Sequence, residues 1–180
     1  MESEILRLGE PASKVPAPPA APPDAELVAF YRQHRLGLVR LAVLLLGDQE
    51  TAEDVVQDVF ARLHGRWRPG VTTIAYVRTC VLNGSRSILR RRALALRRVE
   101  PLAGLADSAE TAALIGESRR EVLLALARLP RRQREALVLR FYLDLSDAEI
   151  AEAMRVRQST VRSMTARARA RLLHELGDNA

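Results

Sequence analysis

Residues 144–163 read DLSDAEIAEAMRVRQSTVRS, and this stretch decides the fold. Ser146 with Glu149 three residues later is a capping box, in which each side chain bonds the backbone N–H of the other residue at a helix start. Apolar residues at helical spacing follow the box, and a second series with the same spacing begins at Val161. The stretch therefore predicts a short helix, a tight turn filled by Val156 and a longer helix, which together form a helix-turn-helix.

The charge of the sequence changes sign within this motif. Residues 144–152 hold four acids and no base, whereas residues 153–173 hold six arginines and no acid. Because arginine binds phosphates and guanine edges, the second helix is predicted to enter the major groove of DNA through its N-terminal half. Its predicted exposed positions are Gln158, Ser159, Arg162, Thr165 and Arg167. The alternative is an amphipathic helix that ends a bundle and turns a basic face to solvent.

The composition of the whole chain favours packed helices and a polyanionic partner. Hydrophobic residues make up 48% of the 180 residues but aromatic residues only 4%, which suits helices better than sheets. The net charge of +6 favours a partner such as nucleic acid. Lys14 is the only lysine beside 27 arginines. A GC-rich coding sequence accounts for that ratio equally well, so only the positions of the charges are interpreted.

The chain divides into segments of different composition. Six prolines between Pro11 and Pro23 exclude a packed core there and favour a disordered or polyproline-like tail. Helical periodicity starts near residue 25 and is lost over VEPLAGLAD, residues 99–107, which has the composition of a linker. We therefore predict an all-α fold of two small helical domains. The predicted segments are a tail at 1–24, a first domain at 25–96, a linker at 97–110 and a second domain at 111–176.

Residues that start or end helices predict the limits of the elements. The start signals are Asp24, Asp48 or Thr51, Thr72 or Thr73, and Pro130 as the first residue of its helix. Gly47 is predicted to end the first helix, and residues 109–128 are predicted to form one helix of the second domain.

The sequence lacks the residue patterns that several classes of function require. The single cysteine, Cys80, forms no internal disulfide and favours a reducing, cytoplasmic setting. Its apolar neighbours predict a core position, with a redox role as the alternative. The apolar run LAVLLLG is too short to span a bilayer, and no signal peptide precedes it. With three scattered histidines and no Gly-rich phosphate loop, we expect no metal, no cofactor, no enzymatic activity and no membrane role.

The block from Leu126 to Leu173 resembles region 4 of bacterial sigma factors. LARLPRRQREALVLRFYLDLSDAEIAEAM is similar to that family's Leu-Pro, arginine and Glu-Ile-Ala signature. The family continues Gly-Val-Ser-x-Gly-Thr-Val-Lys-Ser, where this chain has RVRQSTVRS. A non-glycine residue must therefore adopt the turn geometry at Arg155 with some strain, and Arg157 replaces the expected serine cap. The resemblance implies that the −35 promoter element is bound by Arg157, Gln158, Ser159, Thr160, Arg162, Ser163 and Arg167.

AEDVVQDVF at residues 52–60 resembles region 2 of the extracytoplasmic-function sigma factors. In that family this helix binds the clamp helices of the β′ subunit of RNA polymerase. The resemblance implies that core polymerase is bound by Glu53, Asp54, Gln57 and Asp58. A merely solvated acidic face is the alternative.

The next helix, AYVRTCVLNGSRSILRRR, resembles regions 2.3 and 2.4, which contact the −10 element. Asn83 stands where the family has an asparagine near an unstacked base. The implied −10 contacts are Tyr76, Arg78, Asn83, Arg86, Ser87, Arg90 and Arg91. Arg92 is also expected to hold a phosphate, and a solvated basic face is the alternative. Trp67 is expected to pack in the core or a loop rather than contact a base.

The two resemblances together cover about residues 26–173 and indicate an extracytoplasmic-function sigma factor similar to actinobacterial members. They imply RNA polymerase core (the β′ clamp helices and the β flap), promoter DNA and an anti-sigma factor as partners of a chain that is monomeric when free. Two alternatives remain open. One is a two-domain helix-turn-helix regulator that binds DNA without polymerase, and the other is a helical protein-interaction adaptor without a DNA role.

Overall fold

A computed structural model describes residues 23–68, 70–98 and 117–177, and these residues form helices and connecting turns without a strand. The helices are α1 (Pro23–Leu46), α2 (Gln49–His64), α3 (Ile74–Arg98), α4 (Glu117–Arg128), α5 (Arg131–Phe141), α6 (Asp147–Met154) and α7 (Gln158–Gly177). The all-α prediction is confirmed. None of the described helices combines the length and the apolar content that a membrane crossing needs.

The amino-terminal unit consists of α1, α2 and α3. Gly47 ends α1 with a φ of +88°, a conformation that glycine adopts without strain. Asp48 then caps α2, because its Oδ1 accepts a hydrogen bond from the Thr51 backbone N–H at 2.8 Å. Gly84 lets α3 pack closely on α2, since a Cβ atom there would lie only 2.9 Å from Val55 Cγ1.

Arg92 ties the three helices of this unit together. Its Nη2 donates to Asp48 Oδ2 and to Thr51 Oγ1, both at 2.8 Å, and its Nη1 donates to the Leu46 carbonyl at 3.4 Å. Partial burial raises the pKa of Asp48, but the hydrogen bonds from Thr51 and Arg92 outweigh burial and hold that pKa below its usual value. The stabilisation is therefore present above the ordinary carboxyl pKa and is lost as pH falls through the lowered one. Arg92, which was expected to hold a phosphate, thus bonds groups of its own unit while its side chain stays 44% exposed.

The carboxy-terminal unit consists of α4 to α7. The capping box at the start of α6 is confirmed: Ser146 Oγ accepts from the Glu149 backbone N–H, and Glu149 Oε2 accepts from the Ser146 backbone N–H at 2.8 Å. The hydrogen bonds from Ser146 lower the pKa of Glu149. Ile150 and Val161 are completely buried and pack α6 on α7. This unit has the predicted helix-turn-helix form.

Several helix limits differ from the sequence-based expectation. The chain is already helical at Pro23, so Asp24 lies in the first turn rather than at a cap. Pro130 occupies the cap position with a ψ of 134°, and α5 begins at Arg131. The predicted helix at 109–128 is described only from Glu117, and residues 109–116 lie outside the described part. Residues 1–22 of the predicted tail and most of the predicted linker also lie outside it, whereas residues 23 and 24 are already part of α1. At the other limit, α3 continues to Arg98, past the expected domain limit at 96.

The apolar core runs through both units. Val56, Val81, Leu139 and Ile150 belong to one continuous cluster of buried residues, although they come from different halves of the sequence. Leu44 on α1 also packs against the smaller cluster that α4, α5 and α7 form. The two units therefore pack against each other, and α1 contributes residues to the packing of both.

Trp67 and Cys80 pack against the core of the amino-terminal unit. Trp67 lies in the connection after α2 and makes an edge contact with Phe30, with ring centroids 5.0 Å apart. It is partly buried against the core, as expected for packing in the core or a loop. Cys80 is partly buried and packs against the same core, as expected.

Candidate nucleic-acid interface

The turn between α6 and α7 is built without glycine. Arg155 has φ 53° and ψ 52°, which is the left-handed conformation, so a non-glycine residue takes the turn geometry as expected. Its backbone N–H donates to the Glu152 carbonyl at 3.1 Å, and Val156 N–H donates to the Ala151 carbonyl at 2.9 Å. These bonds close α6 and direct the chain into α7, at the cost of strain that a glycine would not carry.

We expect Arg155→Gly to stabilise the protein by about 1 kcal/mol, because glycine adopts this conformation without the clash of a Cβ atom. The Arg155 side chain is exposed, so its loss removes no packing. Urea unfolding followed by far-UV circular dichroism measures the change. Arg157→Gly is the matched control, since φ is not positive at Arg157. A gain of equal size in both variants would contradict the assignment of strain to Arg155.

Six of the residues expected to bind the −35 element have exposed side chains, in the turn before α7 and along the first half of that helix. They are Arg157, Gln158, Ser159, Thr160, Arg162 and Arg167. Ser163 is half-buried, and its hydroxyl donates to the Thr160 carbonyl at 3.1 Å. Thr165, which was expected to be exposed, has a buried hydroxyl without a hydrogen-bond partner among the described residues. It therefore faces the interior, and the expectation of an exposed position there is wrong.

Asp147 holds the exposed face of α7 against the rest of the unit. Its Oδ2 accepts from Arg162 Nε at 3.1 Å, and its Oδ1 accepts from Arg140 Nη2. Arg140 also donates to the Leu145 carbonyl at 2.9 Å. The orientation of Arg162 is thereby set in the free protein, while its side chain stays largely exposed.

The residues expected to bind polymerase lie along α2, and Asp58 among them also lines a groove between α2 and α3. Asp54, Gln57 and Asp58 are exposed, whereas Glu53 is half-buried. Glu53 accepts from Gln49 Nε2 at 2.9 Å and lies 3.4 Å from Arg35 Nη2, so its charge is used within the unit. Asp54 makes no ion pair or hydrogen bond with other described residues. The acidic face is thus centred on Asp54, with Glu53 in a supporting position.

A groove of about 380 Å³ separates α2 from α3. It gathers four of the residues expected at the −10 element, namely Tyr76, Asn83, Ser87 and Arg91. The Tyr76 side chain is 56% exposed, which leaves its ring open to stacking. The volume lies within the range of small-ligand sites, roughly 300–1,000 Å³. Polar groups and an exposed aromatic ring in one groove suit an unstacked base and its phosphate.

Sequence reasoning missed the other wall of this groove. Asp58 and Arg62 of α2 and Arg66 of the following turn line it. Arg62 donates to the Asp58 carbonyl at 3.1 Å and lies 3.6 Å from its carboxylate. The sequence could have indicated these arginines, because basic residues follow AEDVVQDVF directly. The chain turns back there to begin α3, which places them beside that helix.

The remaining residues expected at the −10 element lie outside the groove. Arg90 is exposed and donates to Ser87 Oγ at 3.2 Å, and Arg78 is half-buried. Arg86 joins the groove to the carboxy-terminal unit: its Nη1 donates to Asn83 Oδ1 at 3.1 Å, and its Nε donates to Glu135 Oε1 at 2.9 Å. Arg86 and Arg90 therefore lie outside the groove but are bonded to residues that line it.

Comparison with known proteins supports both units separately. The model of sigma-70 region 2 matches residues 30–94, and the model of sigma-70 region 4 matches residues 119–172. The ECF RNA polymerase sigma factor SigM of Mycobacterium tuberculosis is 33% identical over 86% of this chain and 85% of its own length. The chain belongs to the ECF RNA polymerase sigma factor family. It is an alternative sigma factor, which directs RNA polymerase to promoters.

Other relatives of this ECF sigma factor agree with that assignment. RNA polymerase sigma-E factor of Streptomyces avermitilis is 32% identical over 84% of this chain and 85% of its own length. The sigma factor RpoE of Bartonella quintana, solved in complex with the anti-sigma factor NepR, has the same fold. It gives a TM-score of 0.61 at 24% identity, over 83% of this chain and 97% of that chain. A regulator that binds DNA without polymerase is not favoured.

Proposed function

We propose that this ECF sigma factor reads the −10 element with the groove between α2 and α3 and the −35 element with the exposed start of α7. The observation that carries the proposal is the groove, which brings Tyr76, Asn83 and Arg91 together on one side of α3. Tyr76 supplies a stacking ring, Asn83 an amide for a base edge and Arg91 a charge for phosphate. Nothing in this role is catalytic, so the chain acts as a non-enzymatic subunit.

The acidic face centred on Asp54 is proposed as the contact with core polymerase. Asp54 is exposed and carries no compensating internal partner among the described residues. A basic surface on the polymerase would neutralise it, whereas DNA would be repelled. Because Asp58 of α2 also lines the groove, polymerase binding to α2 positions the groove against the −10 residues of α3.

The same proposal includes the domain limits, the cellular location and the partners of this sigma factor. The region 2 domain spans about residues 25–96, the region 4 domain about 111–176, and residues 97–110 link them along the polymerase surface. We place the protein in the cytoplasm as a monomer that contacts the β′ clamp helices and the β flap. An anti-sigma factor is a further partner by extension from RpoE of Bartonella quintana, which was solved with one.

Transcription with purified components tests the proposed function. Core RNA polymerase, this chain and a pool of randomised promoter fragments should yield transcripts from a subset that shares two sequence elements. Core polymerase without the chain is the control. Binding of palindromic sites by the chain alone, without promoter-specific transcripts, would contradict the proposal and favour an independent regulator.

Substitutions at Asn83 and Arg90 should separate base recognition from phosphate binding. We expect Asn83→Ala to weaken holoenzyme binding of the preferred −10 strand by about 5–150-fold, equivalent to about 1–3 kcal/mol, with little loss for mismatched strands. Arg90→Gln should weaken all strands alike and lower the salt dependence by about one phosphate contact. Fluorescence anisotropy at several salt concentrations measures both. An equal loss for all strands with Asn83→Ala would remove this residue from base recognition.

A further inference from the structure

We propose that the free chain is held in a closed state by an ion pair between Arg86 and Glu135, and that this state cannot engage a promoter. The inference rests on the proposed function, because Arg86 belongs to the residues expected at the −10 element. Arg86 Nε and Nη2 both donate to Glu135 Oε1, and Nη2 also donates to the Ala153 carbonyl at 2.9 Å. The two side chains are 26% and 7% exposed. Both groups are thus largely withdrawn from solvent at the junction of the two units.

Other bonds close the junction around this pair. Arg131 Nη2 donates to the Arg86 carbonyl at 3.0 Å, so the backbone of α3 is held as well as its side chain. At a second point, the Tyr142 hydroxyl donates to the Gly37 carbonyl of α1 at 2.9 Å. The shared apolar core lies between these points. The two units are therefore docked over a surface rather than linked by one flexible contact.

The geometry of the closed state is incompatible with reading two promoter elements. Ala153 accepts a hydrogen bond from Arg86, and Gln158, at the start of α7, lies five residues further along the chain. Five residues span at most about 18 Å. Elements centred about 25 base pairs apart lie about 85 Å from each other at roughly 3.4 Å per base pair. The units must separate before α3 and α7 can reach both elements.

The Glu135 carboxylate and a DNA phosphate compete for the guanidinium group of Arg86. Carboxylate and phosphate oxygens both accept paired hydrogen bonds from a guanidinium group. While Glu135 occupies Arg86, that arginine is withdrawn from phosphate. Polymerase binds the acidic face of α2 at one surface and the carboxy-terminal unit with α7 at another. Binding at both surfaces selects the open state, in which Arg86 is released from Glu135.

The distance between the units in the full-length free chain tests this inference. Spin labels on Glu50→Cys and Ala170→Cys, both at exposed positions, report that distance in a Cys80→Ser background. Double electron–electron resonance should show one short-distance population for the otherwise unchanged chain. Glu135→Gln and Arg131→Gln should each shift the population to longer distances. Arg132→Gln, at an exposed position on α5 that makes no hydrogen bond or ion pair with Arg86 among the described residues, should leave it unchanged.

Binding of short randomised single strands by the free chain gives a second measurement. If the closed state holds nine tenths of the molecules, Glu135→Gln should raise the apparent affinity about tenfold, because the competent fraction limits it. Two results overturn the inference: a long-distance population in the unsubstituted chain, or unchanged distances in both Glu135→Gln and Arg131→Gln. Promoter-directed transcription is scored separately. If the variants open as expected but the chain yields no promoter-specific transcripts, the promoter role is rejected. If the chain yields these transcripts but the distances stay unchanged in both variants, the closed state is rejected.

Discussion

Asp54→Arg is expected to reduce binding of this sigma factor to core polymerase by about 30-fold or more. The substitution places a positive charge at the centre of the acidic face, opposite the basic surface that we propose on the polymerase. A like-charge contact at an interface costs several kcal/mol, and 2 kcal/mol alone corresponds to about 30-fold in affinity. Asp54 is exposed and makes no hydrogen bond or ion pair with described residues, so the fold should be unaffected.

Fluorescence anisotropy of labelled sigma factor titrated with core polymerase measures this loss. Glu152→Arg is the charge-matched control, because Glu152 is exposed on α6 and lies outside the acidic face of α2. Asp54→Asn should give an intermediate loss, since it removes attraction without adding repulsion. Unchanged core binding by Asp54→Arg, with an unchanged circular dichroism spectrum, would show that α2 presents another face to the polymerase.

Ile150→Ala is expected to lower the free energy of unfolding by about 2–5 kcal/mol. Ile150 is 0% exposed where α6 packs on α7, and the truncation leaves a cavity that the surrounding helices fill only in part. For a chain of this size the change corresponds to a fall in Tm of roughly 5–20 °C. The loosened packing should also displace α7, so binding of a −35 duplex should weaken together with stability.

Differential scanning calorimetry and duplex binding measure the two effects. Leu173→Ala is the matched control, because Leu173 lies on the same unit with its side chain 60% exposed. Its truncation should change stability by less than about 0.5 kcal/mol. Equal losses in the two variants would contradict the assignment of Ile150 to the core of the helix-turn-helix.

Local signals in the sequence predicted the helix-turn-helix well. The capping box of Ser146 and Glu149 and the cap at Asp48 each depend on residues within four positions of one another, whereas the strained turn at Arg155 was expected only from the family's glycine. Such short-range contacts can be predicted from the sequence, because the residues that make them are close together in the chain. The same holds for the buried series on α2, because apolar spacing marks the face that a helix buries.

The sequence could not sort the arginines of α3 by role. Arg92 bonds Asp48, 44 positions away, and Arg86 bonds Glu135, 49 positions away. No local rule links residues at such separations, so both arginines were expected to bind phosphate. Only the packed arrangement distinguishes a guanidinium group that joins helices from one, such as that of Arg91, that lines an open groove.

The placement of Trp67 gives this sigma factor a built-in spectroscopic probe. It is the only tryptophan in the chain, and its indole packs edge-on against Phe30 in the amino-terminal unit alone. Its emission should shift to longer wavelength when that unit unfolds, whereas far-UV circular dichroism follows the helices of both units. Coincident melting curves from the two signals would mean that the halves of the molecule unfold cooperatively, without any label being added.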